Sequence, residues 1–231
     1  MEPFKIIWGG VEAMIDHIGQ MPSVAAKKFK NKEALCFEGK SFTFEELSKL
    51  IEKFSSSLSS LGIKQKDVVT LYASNSWEWI VSYFSIARIG AIINPVNTML
   101  TPSEIKHVVN DCKAKAIITS SDKVQSIINI KNETSVSTLI SFGKAPQGAE
   151  GFNNLIEKET TPIEMPNISP EDLSTIGYTS GTTGHPKGAM QSHKSVVING
   201  AMTSQLHMRG PEDVVVSLSL IHISEPTRLV S

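Results

Sequence analysis

The chain has 231 residues, 40% of them hydrophobic and 19% charged, with a formal net charge of −1. This is the composition of a globular protein that can bury a sizeable core. Lysine and arginine are scattered along the sequence, which argues against a nucleic-acid-binding surface or a polybasic membrane patch. The N-terminus has no cationic start and no unbroken apolar stretch. We therefore expect no signal peptide, no integral membrane segment and a cytoplasmic location.

Regularly spaced apolar residues predict helices and strands that alternate along the chain. The predicted helices cover residues 11–18 (a helical patch), 43–61, 77–91, 101–111, 124–130, 152–157 and 194–208. The predicted extended segments cover residues 34–37, 68–73, 92–96, 116–119, 136–142 and 173–178. Residues 143–170 are rich in Gly, Pro, Glu and Asn and are expected to form a surface connection. This order predicts an α/β fold in which a mostly parallel sheet carries helices on both faces.

Two helix starts carry a capping-box pattern, in which side chains three residues apart satisfy free backbone N–H groups. The first pairs Thr43 with Glu46, and Gly62 is expected to stop that helix. The second pairs Thr101 with Glu104 and places Pro102 at the first helical position. The two capping boxes therefore predict where two of the helices begin.

Residues 178–188 read YTSGTTGHPKG, a loop with several hydroxyls, three glycines and one lysine. Small residues let backbone N–H groups converge on an anion, hydroxyls add further donors, and Lys187 adds a mobile positive charge. A phosphate chain fits such a loop. No Gly-Lys-Ser/Thr closes the loop, so it is not a P-loop of the Walker A kind.

The loop closely resembles the signature of the adenylate-forming enzymes, which include acyl-CoA synthetases, luciferases and peptide-synthetase adenylation domains. Two weaker elements agree with it. Residues 41–47 (SFTFEEL) resemble an early segment of that family, and residues 87–91 (ARIGA), with Asn94 and Pro95, resemble a second one. All three stand in the family's order. The resemblance covers about residues 20–217 and implies the first part of the large N-terminal domain of such an enzyme.

The resemblance implies that ATP and a carboxylic acid form an acyl-adenylate, and that coenzyme A then takes the acyl group. Mg²⁺ bridging the phosphates is also implied. By the same resemblance, Thr179, Ser180, Thr182 and Thr183 contact phosphate through hydroxyls. Gly181 and Gly184 allow close backbone approach, and Lys187 neutralises charge on the departing pyrophosphate. No catalytic residue is assigned, because the family's catalytic lysine belongs to a later segment.

Other chemistry-bearing residues have plainer interpretations. Cys36 and Cys112 lie far apart without metal-ligand partners, so we expect reduced thiols in the core or near the surface. His193 resembles a recurrent family histidine and is expected to make a structural hydrogen bond. Trp77 and Trp79 are expected in the core rather than in an acyl tunnel. His185 is interpreted as exposed filler, and Glu45 with Glu46 as a helix first turn.

The family's later motifs, its ribose-binding Asp, its hinge and its small C-terminal domain find no counterpart after Gly210. Residues 1–217 are therefore expected to be a partial AMP-binding domain that is inactive by itself. Residues 218–228 (LSLIHISEPTR) resemble a translated sequencing adapter, so residues 218–231 are expected to be a non-native tail. His222, within this tail, is assigned no function.

The main prediction is thus an acyl-CoA synthetase fragment whose parent enzyme activates a fatty acid or another carboxylic acid. A second possibility is another adenylate-former, such as an aryl-acid ligase or a peptide-synthetase adenylation domain. The remaining alternatives are a non-catalytic nucleotide-binding protein and a structural α/β domain with a glycine-rich loop.

Overall fold

The computed structural model describes residues 5–8, 11–179 and 186–216. Within these ranges, strands and helices alternate through most of the chain. The strands are β1 (Lys5–Trp8), β2 (Val11–Met14), β3 (Glu33–Phe37), β4 (Lys40–Thr43), β5 (Val68–Tyr72), β6 (Ile92–Pro95), β7 (Ala116–Thr119), β8 (Thr138–Ser141), β9 (Glu150–Gly151), β10 (Leu173–Thr179) and β11 (Lys187–Ser192). The α-helices are α1 (Met21–Phe29), α2 (Phe44–Ser60), α3 (Trp77–Arg88), α4 (Pro102–Asp111), α5 (Val124–Lys131), α6 (Phe152–Glu157) and α7 (His193–Leu206). A 3-10 helix at Ile18–Gln20 precedes α1.

The main sheet of the described residues has seven strands in the order β11-β10-β6-β5-β7-β8-β9. Every neighbouring pair is parallel except β10 and β11, which form an antiparallel hairpin. Two small antiparallel hairpins, β1–β2 and β3–β4, stand outside it. The predicted mostly parallel sheet is confirmed.

Helices cover both faces of this sheet, because alternate residues of each strand point to opposite sides. Val69 and Leu71 of β5 belong to a core cluster with α2, α3 and α6. Val68 and Tyr72 of the same strand belong to a second cluster with α4 and α5. All five residues of β5 are buried, as expected for a parallel strand covered on both sides.

The helix signals in the sequence act as expected. The Thr43 hydroxyl accepts from the Glu46 N–H at 3.2 Å, and a Glu46 carboxylate oxygen accepts from the Thr43 N–H at 2.9 Å. The same reciprocal pair joins Thr101 and Glu104. Gly62 follows the end of α2 with a φ of +84°. Both capping boxes and the predicted stop of α2 are confirmed.

The prediction for the first thirty residues is wrong. Val11–Met14 is not a helical patch but a strand paired with Lys5–Trp8, and the helix of this region begins later, at Met21. Tertiary pairing outweighs the weak helical pattern here. The Gly9-Gly10 pair between the two strands is itself a hairpin signal. The prediction also missed β4, a short strand beside the expected one.

Candidate active site

The hairpin of β10 and β11 carries the two described ends of the signature loop. Their register pairs Tyr178 with Gly188 and Thr179 with Lys187. Side chains directly opposite each other in an antiparallel pair share a face, with Cβ atoms about 4.5–5.5 Å apart. Thr179 and Lys187, which are both exposed, therefore lie together at the end of the hairpin. A hydroxyl and an ammonium group at this point can contact one phosphate chain.

The structure brings these two predicted site residues together and does not test the others. Ser180, Gly181, Thr182, Thr183 and Gly184 lie outside the described residues, as does His185. Their roles in phosphate contact stay predictions. The described part of the chain fixes only where the loop leaves the sheet and where it returns. Both points lie at the carboxyl end of β10, where ligands of open α/β sheets bind.

Gly188 has a packing reason to be glycine. A Cβ atom at this position would lie 2.8 Å from Cγ2 of Ile176 and 3.2 Å from Cζ of Tyr178. Contacts under 3.0 Å are steric overlaps, so a larger residue would displace the Tyr178 ring or the strand. Gly188 thus lets the Tyr178 ring lie across the hairpin.

The Tyr178 side chain is also held at its hydroxyl group. Its hydroxyl donates to Oδ2 of Asp111, the last residue of α4, at 2.5 Å. Burial and this hydrogen bond to a carboxylate raise the pKa of Tyr178 above its ordinary value. Its hydroxyl therefore stays protonated and engaged with Asp111, so we interpret Tyr178 as a structural member of the signature.

Asn94 ties β10 to the middle of the sheet. It is fully buried, and its Nδ2 donates to the Ile176 carbonyl oxygen at 2.7 Å. Its Oδ1 accepts from the Thr70 hydroxyl at 2.9 Å. The ladder between β10 and β6 has one register pair, Thr175 with Ile93, so the Asn94 amide is a main link between these strands. The sequence flagged Asn94 only through the resemblance and gave no sign of this partner.

His193, the first residue of α7, anchors the far end of the hairpin. The ring Nδ1 of His193 accepts from the Ile18 backbone N–H at 3.3 Å. The backbone N–H of His193 donates to the Asp172 carbonyl oxygen at 3.0 Å. The His193 ring is fully buried and meets His17 edge-to-face at 5.6 Å. Burial, with the neighbouring His17, lowers the pKa of His193 to about 4. The expected structural hydrogen bond of His193 is confirmed.

The remaining expectations concern cysteines and tryptophans. Both cysteines are free thiols; Cys36 is exposed and Cys112 is half-buried. Burial raises the pKa of Cys112 to about 11, which keeps it a poor nucleophile. Trp79 is buried and stacks on Tyr83, with ring centroids 5.4 Å apart. Trp77 packs between Phe42 and Phe152, so the core role of both tryptophans is confirmed.

The described residues contain no group of three or more His, Cys, Asp or Glu side chains that could hold a metal ion. Mg²⁺ therefore stays an expectation from the resemblance, in which it bridges the phosphates of the nucleotide. None of the helices described is long and apolar enough to cross a bilayer.

Comparison with known proteins decides the family. The family model described as AMP-binding enzyme matches residues 23–229. The chain belongs to the AMP-binding enzyme family. The resemblance carried by the signature loop is thereby confirmed.

Curated members of this family are similar over most of the chain. An indoleacetate–CoA ligase of Aromatoleum aromaticum is 29% identical over 194 residues, which is 83% of this chain and 38% of the relative. The 4-coumarate–CoA ligase 2 of Solanum tuberosum is 31% identical over 190 residues, which is 79% of this chain and 34% of the relative. The chain therefore spans little more than a third of the length of these relatives.

Solved structures of this family share the fold. The anthranilate CoA ligase AuaEII, solved with anthranoyl-AMP, matches with a TM-score of 0.76 and 29% identity, over 82% of this chain and 36% of its own. A structure from Rhodopseudomonas palustris, described as a putative long-chain-fatty-acid CoA ligase, matches with a TM-score of 0.83 and 23% identity, over 90% of this chain and 53% of its own. At that identity the second match shows the fold alone. The predicted fold of an adenylate-forming N-terminal domain is confirmed.

Proposed function

We propose that the chain is the first part of the large domain of an ATP-dependent acid–thiol ligase. The ligase would convert a carboxylic acid to an acyl-adenylate and then to an acyl-CoA. The observation that carries the proposal is the pairing of Thr179 with Lys187 at the two ends of the signature loop. Membership of the AMP-binding enzyme family and the CoA ligases among its relatives support it.

The proposed first step needs positive charge and hydrogen-bond donors beside the outer phosphates of ATP. A carboxylate oxygen of the acid bonds to the α-phosphorus, and the bond from that phosphorus to the bridging oxygen breaks as pyrophosphate leaves. Lys187 and the Thr179 hydroxyl stabilise the charge that builds on the leaving group. The Lys187 side chain is exposed and makes no ion pair with another described residue, so its charge is available to a phosphate. Mg²⁺, when bound to the nucleotide, would neutralise further phosphate charge.

The rest of the loop is proposed to complete this cradle. Ser180, Thr182 and Thr183 would donate hydroxyl hydrogen bonds, while Gly181 and Gly184 would let the backbone approach. In the second step, the sulfur of coenzyme A bonds to the acyl carbon, the acyl–phosphate bond breaks, and AMP leaves. This step needs parts of the family domain beyond those in the chain, so we propose that residues 1–231 alone do not complete it.

Two classes of carboxylic acid are candidates for the substrate. A fatty acid is the sequence-based prediction, and an acid with an aromatic ring is the second candidate. The second is favoured by the names of relatives that act on indoleacetate and 4-coumarate. Competition between a long-chain fatty acid and 4-coumarate in one assay would separate the two.

The test is carboxylate-dependent exchange of pyrophosphate into ATP, in a version of the protein that carries the whole family domain. Lys187→Ala is expected to slow exchange by about a hundredfold or more, the usual loss for one group that stabilises transition-state charge. Lys131→Ala, at the end of α5, is the matched control and should leave the rate unchanged. Equal rates for both variants would refute the role of Lys187. ATP binding without any exchange would favour a non-catalytic nucleotide-binding protein.

A further inference from the structure

A groove lies between α7, the end of α1, the start of α2 and the segment 209–215 that follows α7, which we call the C-terminal wall. Its volume is about 350 Å³, within the range of small-molecule pockets, about 300–1,000 Å³. None of the residues that line it belongs to the β10–β11 hairpin. The groove is therefore a separate site from the one proposed for ATP.

The C-terminal wall is tied to the region after α1 and to itself. The Lys32 ammonium donates to the Pro211 carbonyl oxygen and pairs with the Glu212 carboxylate at 2.9 Å. Within the wall, Oδ2 of Asp213 accepts from the Gly210 N–H at 2.7 Å. These contacts hold the wall opposite α1, so the groove has two sides that are both in place before a ligand arrives.

Much of the groove surface is apolar. Phe29, the last residue of α1, packs on Phe44, the first residue of α2, with ring centroids 5.0 Å apart. Both are half-buried and line the groove, so part of each side chain still faces the open space. Pro211 and Val215 add apolar surface from the C-terminal wall. Gly200 of α7 adds no side chain, and a Cβ atom there would lie in open space among the described residues, so a hydrocarbon body can occupy the groove and bury these surfaces.

The charges of the lining restrict the class of ligand. Two cations, Lys28 and Arg209, and one anion, Asp213, line the groove, which leaves one excess positive charge. The Asp213 carboxylate already accepts from the Gly210 N–H, and the Lys28 ammonium lies 4.9 Å from the centroid of the Phe29 ring. The Arg209 guanidinium makes no ion pair with any described residue. A guanidinium binds a carboxylate through two parallel hydrogen bonds, so Arg209 matches one carboxylate of a ligand.

We propose that this groove binds an organic acid with an apolar body, such as a medium-chain fatty acid. The hydrocarbon chain packs against Phe29 and Phe44, and the carboxylate bonds to the Arg209 guanidinium. A doubly charged phosphate is disfavoured, because the lining offers one excess positive charge and a largely apolar surface. The site is independent of the ligase activity proposed above, because the groove and the β10–β11 hairpin share no residue.

The test is a titration of decanoate, kept below its micelle concentration, into the isotopically labelled 231-residue chain, followed by amide NMR spectra. Saturable shifts are expected at Phe29, Phe44 and Ser204. Gly200→Leu fills the groove from a position with open space around it and should abolish these shifts, while leucine suits the helix better than glycine. Gln205→Leu adds the same side chain at an exposed position of α7 outside the groove; it is the matched control and should keep the shifts.

The charge requirement is measured with a second pair of variants. Arg209→Gln is expected to weaken decanoate binding about tenfold, the effect of a hydrogen bond to a charged group, and to leave the binding of decanol unchanged. Lys158→Gln removes an exposed charge outside the groove and should change neither, and the spectra report directly whether each variant is folded.

Several results would overturn the proposal. Decanoate causing no saturable shifts at the groove, shifts at Phe44 that survive in Gly200→Leu, or equal decanoate affinity in Arg209→Gln and the parent chain would each do so. Decyltrimethylammonium binding as tightly as decanoate would show that the groove selects only for apolar surface. Inorganic phosphate binding more tightly than decanoate would show a simple anion site instead.

Discussion

Replacing Asn94 by alanine is expected to loosen β10 from the rest of the sheet. The buried amide of Asn94 donates to the Ile176 carbonyl oxygen at 2.7 Å and accepts from the Thr70 hydroxyl at 2.9 Å. The backbone ladder between β10 and β6 adds one register pair, Thr175 with Ile93. Alanine removes both side-chain bonds and leaves the partners inside the protein without a replacement.

The size of the effect follows from the two groups left unpaired. A buried polar group that loses its partner costs about 1–3 kcal/mol. With each group near the lower end of that range, Asn94→Ala should lower the free energy of unfolding by about 2–4 kcal/mol. For a chain of this length, 1 kcal/mol shifts the Tm by about 2–4 °C, so the Tm should fall by about 4–16 °C. Hydrogen exchange at the amides of β10 should rise more than exchange at β7.

Asn97→Ala is the matched control for thermal unfolding followed by circular dichroism. The Asn97 side chain accepts from the Met99 N–H at 2.8 Å, but this bond is exposed, and water can replace it. Its loss should lower the Tm by no more than a few degrees. If the two variants melt within about 2 °C of each other, the reasoning that Asn94 links the strands is refuted.

The pH dependence of stability in Asn94→Asp gives a second test of the same contact. The new carboxyl would be buried beside the Ile176 carbonyl oxygen and can donate to it only when protonated. Its folded pKa should therefore be raised above the ordinary value of about 3.9. A raised folded pKa means that this variant approaches the stability of the parent chain at low pH and loses stability as the pH rises. A deficit that shrinks with rising pH would contradict the proposed contact.

The remaining predictions concern packing, acid sensitivity and thiol reactivity. Gly188→Ala should lower the free energy of unfolding by about 1–3 kcal/mol, because its Cβ would overlap Ile176; Gly177→Ala, with no neighbour within 4 Å, should cost less than 1 kcal/mol, and equal losses in urea unfolding would contradict this. His193 has a folded pKa of about 4, below its unfolded value of about 6.5. Stability should therefore fall by up to about 3 kcal/mol as the pH drops from 6.5 to 4. A urea midpoint that is flat over this range in the parent chain would count against it. Iodoacetamide at pH 8 should label exposed Cys36 well before Cys112, as read by mass spectrometry, since burial raises the pKa of Cys112 to about 11.

Local signals made much of the fold predictable. The reciprocal pairs at Thr43 and Thr101 satisfy backbone N–H groups within one helical turn, so the sequence alone contains every participant. The run at Val68–Tyr72 is apolar at nearly every position because both faces of the strand are covered. Such features need no knowledge of distant residues, and the structure agrees with all of them.

Pairings over long sequence distances could not be predicted in this way. Among the described residues, Lys187–Ser192 pairs with β10 alone and is largely exposed, so its side chains show no core-facing pattern. The acceptor of the Asn94 amide lies 82 residues further on, and the hydrogen bond between Ile18 and His193 spans 175 residues. The N-terminal hairpin was missed although its Gly-Gly pair is a local signal, because the helical pattern was given more weight.

The signature loop depends on residues well outside the signature. Three hydrogen bonds hold its hairpin: the Asn94 amide on β10, the Asp111 carboxylate on Tyr178, and the Ile18 N–H on His193. Electrostatic stabilisation of a reaction works best when the donors are already held in place and need not reorganise. The hairpin ends at Thr179 and Lys187 are therefore positioned by elements spread from the 3-10 helix to α4. Loop residues transferred without these contacts would keep the hydroxyls and the charge but lose the fixed geometry that makes them effective.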